Sequence, residues 1–249
     1  MTTLAEIRAK LAASNTSKEN TPSGIFPHWL APMNTTTTVR LLPDANDQNG
    51  TFWIEKKSSR IKFKGMDQDI YVTIPCLENW GQSCFVKEML RPCYKADKEN
   101  IQHYNAAWTK TVYHMNALII DTQLEDEDLA ETPVRSLIFT NSLFNVVKTF
   151  LMDEDVEDVP TDYDKGYDFK IKKTQKGNYA DYTSSSFSMK PRKLTQNERS
   201  AIDKCGLKDL STFIGTKPDE EKIALYKEVV EAYINFEDFD HARWGSLLS

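Results

Sequence analysis

The chain has 249 residues, a formal net charge of −6 and 40% hydrophobic residues. This composition excludes a disordered polar chain and a protein that is basic over its whole surface, and the length accommodates one large domain or two modest ones. No stretch approaches the roughly 18 to 20 apolar residues of a membrane span, and the N-terminus lacks a signal-peptide pattern, so we expect a cytoplasmic protein with no membrane partner.

The first 24 residues are predicted to form an N-terminal arm followed by a linker. Thr3 and Glu6 have the spacing of a capping box, which indicates the start of a short amphipathic helix. A helix this short is marginal alone in water, so two interpretations stay open: a frayed tail, or an arm that docks on another protein. Residues 14–24 have linker composition.

The next part of the chain is predicted to form short strands with alternating polar and apolar positions. RLLPD, from Arg40 to Asp44, ends one strand at a proline and a turn cluster. In SSRIKFKG, cations alternate with apolar residues, so one face of this strand is predicted to be basic. The cations are Arg60, Lys62 and Lys64.

Three of the four cysteines lie in a segment that interrupts the strand pattern. Without a secretory signal, a disulfide framework is not expected. Cys76, Cys84, Cys93 and His103 have the ligand types of a zinc site, but they include no Cys-x-x-Cys pair. Two interpretations stay open, a zinc site or buried structural thiols. We predict no cofactor and keep zinc as the alternative.

WTKTVYHMNALIID, residues 108–121, is predicted to be a strand whose two ends meet different surroundings. Alternation places Tyr113 and Met115 on one face, with Lys110 and Leu118 on the other. The first half, with Trp108, suits a flat and charged ligand, whereas the second half suits a core.

A strand (VRSLIF) and an amphipathic helix (NSLFNVVKTFLMDED) follow, and the helix leads into an acidic run at residues 153–164. The carboxylates of this run could be metal ligands of a nuclease, but a contiguous run at a helix end favours a solvated loop. The chain has no Gly-rich phosphate loop and no Gly-x-Ser-x-Gly elbow. We predict that the protein is not an enzyme.

A second basic strand begins at residue 168, and the turn at Gly177 is predicted to present two tyrosines in a hairpin. Basic strands with interleaved aromatic residues suit a groove for single-stranded nucleic acid, because cations follow the phosphates and rings stack on unpaired bases. The predicted phosphate contacts are Arg60, Lys62, Lys64, Lys110, Lys170, Lys172, Lys173 and Lys176. The predicted stacking residues are Trp108, Tyr113, Tyr179 and Tyr182.

Residues 194–249 are predicted to form a helical C-terminal region that ends in an acidic tail with exposed aromatic residues. Such a tail can compete with nucleic acid for a basic groove or recruit partner proteins. An interaction or scaffold protein, with the basic strands merely solvated, is therefore the alternative function.

This order of features resembles the T-even-type phage single-stranded DNA-binding, or helix-destabilising, protein family. KTVYHMNALII is similar to that family's Lys-Thr-x-Tyr-x-x-Asn-x-Leu segment and places Tyr113 on a family position. IFTNSLFNVV is similar to its strand-to-helix step, with Phe139 on its aromatic position, and GNYADYTSSSF is similar to its aromatic hairpin, with Tyr179 and Tyr182 facing DNA. RLLPD is similar to one of its strand starts. The resemblance spans roughly Phe26 to Pro191.

The resemblance implies a mainly β, α+β chain whose core, residues 25–193, is an OB-fold-like five-stranded barrel with the cysteine segment inserted. It implies sequence-independent binding and protection of single-stranded DNA during phage replication, recombination and repair, in an infected bacterial cytoplasm. Self-association through the N-terminal arm and contacts of the acidic C-terminal region with replication and recombination proteins are implied as well.

Two departures from the family stand out. The family's arm has a basic cluster, whereas here the arm's cations are dispersed. The family's zinc site uses a histidine and three cysteines, but Lys87 stands where the close cysteine partner would be, and Lys62 lies near the expected histidine.

Overall fold

The computed structural model describes residues 24–248, so the predicted N-terminal arm lies outside the described part of the chain. The strands are β1 (Thr35–Leu42), β2 (Trp53–Phe63), β3 (Ile70–Pro75), β4 (Lys110–Asp121), β5 (Val134–Thr140), β6 (Asp168–Lys176), β7 (Tyr179–Asp181) and β8 (Ser186–Phe187). The helices are α1 (Phe85–Ala96), α2 (Ile101–Ala107), α3 (Asn141–Leu151), α4 (Gln196–Cys205), α5 (Glu220–Ile234) and α6 (His241–Trp244). No helix within 24–248 has the length and apolar character needed to cross a membrane.

The strand β4 organises an antiparallel sheet with the order β3-β2-β4-β1-β6-β7. Its first half pairs with β2, from Lys110 opposite Ser58 onward, and its second half pairs with β1 as far as Asp121. The strand β5 pairs along the other edge of β4, and β8 pairs with β6. A strand of 12 residues is long enough to pair with two other strands in succession along one edge.

A segment before β1 lies between β5 and β6. The backbone N–H of Phe26 donates to the carbonyl of Ser136 in β5 at 2.9 Å. From β6, the ammonium of Lys173 donates to the carbonyls of Trp29 and Ala31 at 2.6 and 2.7 Å. Within residues 24–248 no strand pairing joins β5 to β6, so the sheet is open. The predicted α+β class is confirmed, whereas closure into a five-stranded barrel is not.

The sheet core is the first of two hydrophobic cores, and it lies between the strands and α3. Met115 and Ala117 alternate into it from β4, as the period of a strand requires. Leu143 and Val147 of α3 are 1% and 0% exposed, which confirms the predicted apolar side of this helix.

The helical core is the second, and it lies beneath the β2–β3 hairpin. The buried side of the hairpin packs against α1, α2 and α5. Its residues include Ile61, Phe63, Val72, Ile74, Leu90, Tyr104, Val229 and Tyr233. The segment that carries the cysteines is therefore a part of this core rather than a loop on the surface.

The chain end also belongs to the helical core. Phe239 and Trp244 are 8% and 6% exposed, and both rings contact Phe63 of β2, with centroids 5.5 and 6.4 Å away. The prediction of exposed aromatic residues in the tail was wrong for Phe239 and Trp244, because each buried aromatic side chain stabilises the packed state by about 1.5–3 kcal/mol. Phe236, in contrast, is 56% exposed. Asp240 caps α6 by accepting from the N–H groups of Ala242 and Arg243, so the tail's acidic residues also shape local structure.

A buried ion network connects β1, β6 and the approach to α4. Arg40, which is 0% exposed, contacts the Asp168 carboxylate at 2.8 Å. Arg192 contacts the other oxygen of Asp168 at 2.5 Å and Glu198 at 2.7 Å. A buried charge is tolerated only when it is paired in this way, so the network fixes β6 relative to β1.

Candidate nucleic-acid interface

Two paired strands run from one core to the other. Trp53 at the start of β2 packs on the sheet core, and the end of β2 lies in the helical core. The opposite holds for β4, since Trp108, two residues before the strand, packs on the helical core and Met115 lies in the sheet core. The stretches between, residues 54–59 and 109–112, are here named the connecting strip. A strip flanked by two cores offers a rigid surface for a ligand.

The connecting strip has three cations, of which only Lys110 was predicted. Lys110 is exposed and lies opposite Ser58. Lys56 is half-buried, and burial lowers the pKa of its ammonium. Lys57 pairs with Glu78 at 3.1 Å, and this hydrogen bond raises the pKa of Lys57. The double lysine in WIEKKSSR was the sequence signal that could have indicated these two residues.

Aromatic rings form a row beside the strip. Tyr113 stacks on Phe144 of α3, with centroids 3.7 Å apart, and Phe144 in turn contacts Trp53 at 5.2 Å. Tyr113 remains half-exposed, and burial raises the pKa of its hydroxyl. Its ring is therefore fixed from one side, which is the arrangement that a stacking platform for a base requires.

The predicted basic face of β2 is exposed. Lys62 pairs with Asp69 at 2.6 Å, and Lys64 is exposed after the strand ends. The guanidinium of Arg60 lies over the ring of Tyr71, 4.0 Å from its centroid. Tyr71 is 41% exposed and was not predicted as a site residue, although the alternation of β3 places it beside the cations. Trp108, in contrast, contacts Tyr94 and packs on the helical core.

The second group of predicted residues lies on β6 and its hairpin. Lys170 and Lys176 are exposed, Lys172 is half-buried, and Tyr179 is 80% exposed. Tyr182 is half-buried and contacts the His28 ring edge-on at 5.7 Å. Since β2 pairs with β3 and β4 whereas β6 pairs with β1, β7 and β8, the structure brings the two basic groups into one sheet but not onto neighbouring strands.

Phe139 does not fit the role that the resemblance gave it. Its side chain is 0% exposed and lies between His28 and Phe169, at 5.7 and 5.6 Å. A base cannot stack on a ring that the core covers. Phe139 is therefore a core residue whose ring is not accessible to a ligand.

The four predicted zinc ligands do not converge. The thiol of Cys93 donates to the carbonyl of Met89. The ring of His103 stacks between Tyr233 and Phe236, at 3.8 and 4.5 Å, and hydrogen-bonds the Tyr233 carbonyl through Nε2. Within residues 24–248, only Cys76 and Cys84 of the predicted set lie together, with Glu78 as a third potential ligand.

These three groups do not fit a tetrahedral zinc site. Glu78 already accepts from the ammonium groups of Lys57 and Lys87, at 3.1 and 2.5 Å. A dication here would face two positive charges and too few ligands, so Lys87 and Lys57 supply the positive charge at this position.

Comparison with known protein families places the chain in a family of DNA-binding proteins. The family described as "gp32 DNA binding protein like" matches residues 29–234. This range includes the connecting strip, both basic strands and most of both cores. A comparison with curated proteins gives no match.

Proposed function

Because the chain belongs to the gp32-like family of DNA-binding proteins, we propose that it binds single-stranded DNA without sequence preference and protects it during phage replication, recombination and repair. The family match over residues 29–234 is the observation that carries this proposal. The exposed cations and half-exposed rings beside the connecting strip supply the chemistry that such binding needs.

The residues proposed to contact DNA have side chains that are at least partly exposed to solvent. Cations that reach solvent can neutralise phosphates, and rings that are fixed on one side can stack on bases irrespective of their identity. The proposed phosphate contacts are Arg60, Lys62, Lys64, Lys110, Lys170, Lys172 and Lys176, with Lys56 added from the structure. Lys57 remains paired with Glu78. The proposed stacking residues are Tyr113, Tyr179 and Tyr182, with Trp108 at the edge of the strip.

We infer that residues 25–193 form an OB-like core in which residues 25–31 take the place of direct pairing between β5 and β6. The strand β4 is shared by β1 and β2, as the bent strand of a small barrel would be. Self-association through the N-terminal arm, and recruitment of replication and recombination proteins by the acidic C-terminal region, are parts of the same proposal and rest on the resemblance.

A titration with oligo-dT at several salt concentrations tests the proposal. The logarithm of the affinity should fall linearly with the logarithm of salt concentration, at about −0.7 per phosphate contact. No binding at low salt would contradict the proposal and favour the scaffold alternative. Incubation of a labelled oligonucleotide with protein and Mg²⁺ serves as the second arm, since cleavage would favour a nuclease instead.

A further inference from the structure

Three large apolar side chains are exposed together on the segment before β1. Trp29, Leu30 and Met33 are 36%, 46% and 43% exposed. Nothing in the sequence pattern assigned them a role. Exposed apolar residues that are close in sequence and held in one place generally mark a contact surface.

The backbone beneath Trp29 is fixed at several points. Phe26 is fully buried, and His28, 5% exposed, lies edge-on to both Phe139 and Tyr182. The ammonium of Lys173 donates to the carbonyls of Trp29 and Ala31 at 2.6 and 2.7 Å. An aromatic side chain on so constrained a backbone loses little conformational entropy when it binds a ligand.

Trp29 lies close to residues of the proposed binding surface. Its indole lies edge-on to His28 at 5.4 Å, and Tyr182 contacts the same imidazole. The hairpin of β6 and β7, with the exposed Tyr179 and Lys176, follows the same strand as Lys173. Rings among lysines suit stacked bases between phosphates better than they suit an apolar protein partner.

We propose that Trp29 stacks on an unpaired base of the bound strand, and that Lys173 is a positioning residue for Trp29 rather than a phosphate contact. The inference rests on the proposed binding of single-stranded DNA. Lys173 has three N–H donors, and two of them already point at carbonyl oxygens. Its role is therefore to fix the Trp29 segment against β6.

Substitution of Trp29 tests the stacking contact. Trp29→Ala should weaken oligo-dT binding roughly 5- to 150-fold, the loss expected for one stacked base. Trp29→Phe should retain most of the affinity while the quenching of tryptophan emission on binding decreases. Met152→Ala, at an exposed apolar position outside the proposed surface, is the matched control and should leave the affinity unchanged. Unchanged affinity of Trp29→Ala would overturn the inference.

The salt dependence of oligo-dT affinity distinguishes a lysine that contacts a phosphate from one that positions Trp29. Lys170→Met, at an exposed position of the same strand, should lower the salt slope by about 0.7, because one phosphate contact is lost. Lys173→Met should weaken binding with the slope unchanged, since only the position of Trp29 is disturbed. A slope lowered as in Lys170→Met would overturn the positioning role. If Lys173→Met fails to fold, Lys173→Gln, which keeps hydrogen-bond donors but removes the charge, decides by the same readout.

The titration of the wild-type protein distinguishes failure of the proposed function from failure of the inference about Trp29. If the wild-type protein does not bind oligo-dT at low salt, the proposed function is wrong and the inference falls with it. If the wild-type protein binds and Trp29→Ala binds equally well, only the inference is wrong.

Discussion

The rings of Tyr113 and Phe144 are parallel, with centroids 3.7 Å apart and an angle of 7° between their planes. The two residues come from different elements, β4 and α3, so the stack fixes the helix against the strand beside the connecting strip. It also leaves Tyr113 half-exposed where a base could stack on it. One contact therefore serves both the fold and the proposed binding surface.

Because of the Tyr113–Phe144 stack, substitution of Tyr113 should change both the affinity for DNA and the free energy of unfolding. Tyr113→Ala should weaken binding of oligo-dT by about 1–3 kcal/mol if the ring stacks a base. The same change should lower the free energy of unfolding by at least about 0.5–1.5 kcal/mol, the worth of an aromatic pair beyond its buried area. Tyr113→Phe should preserve both quantities. Fluorescence titration and urea denaturation measure them, and a Tyr113→Ala variant with wild-type affinity would remove Tyr113 from the proposed DNA contacts.

The acid sensitivity of the protein should depend on Glu198. Hydrogen bonding to Arg192 lowers the pKa of Glu198 to about 2 in the folded chain, whereas an unfolded glutamate titrates near about 4.3. A lowered folded pKa means that this stabilisation is complete above the unfolded value and is lost as the pH falls towards 2.

Glu198→Gln should therefore reduce the change in unfolding free energy between neutral pH and the acid limb near pH 2. Thermal melts of both proteins across this range measure the difference. The exposed Glu127, outside the network, provides a control substitution to Gln. Parallel acid limbs for wild type and Glu198→Gln would contradict the assignment.

Gly166 should tolerate no side chain. A Cβ at this position would overlap the carbonyl oxygens of Pro160 and Asp162 and approach the guanidinium of Arg40. Gly166→Ala must shift the loop that meets the buried ion network, so we expect a loss of about 1–3 kcal/mol of unfolding free energy. Gly50→Ala is the control, since no atom lies within 4 Å of a Cβ there. Chemical denaturation compares the two, and equal stability would show that the loop adapts.

Local patterns predicted the exposed cations of β2 and β6, because alternation along one strand is decided by that strand's own sequence. The contacts that each side chain makes could not be predicted in this way, because they involve residues that are distant in the sequence. Lys173 continues the basic run of β6, yet its ammonium binds carbonyls of a segment 142 residues or more away in the chain. The burial of Phe239 depends on Phe63 in the same way, through a contact between the C-terminal region and β2.

The cysteine pocket, formed by Cys76, Cys84 and Glu78, should not bind zinc. Glu78 accepts from Lys57 and Lys87 where the family resemblance implied a metal, so the pocket is held by ion pairs of half-buried groups. A strong chelator should leave the melting temperature unchanged, and one equivalent of Zn²⁺ should not raise it, because too few ligands converge.

The complementary variant is Glu78→Gln, which keeps the shape of the side chain but leaves two lysines facing each other without a carboxylate. It should cost about 1 kcal/mol of unfolding free energy. Glu88→Gln, on the exposed side of α1, is the matched control and should be neutral. A melting temperature that falls with chelator and recovers with Zn²⁺ would show instead that the pocket binds metal, and the loss in Glu78→Gln would then be that of a ligand.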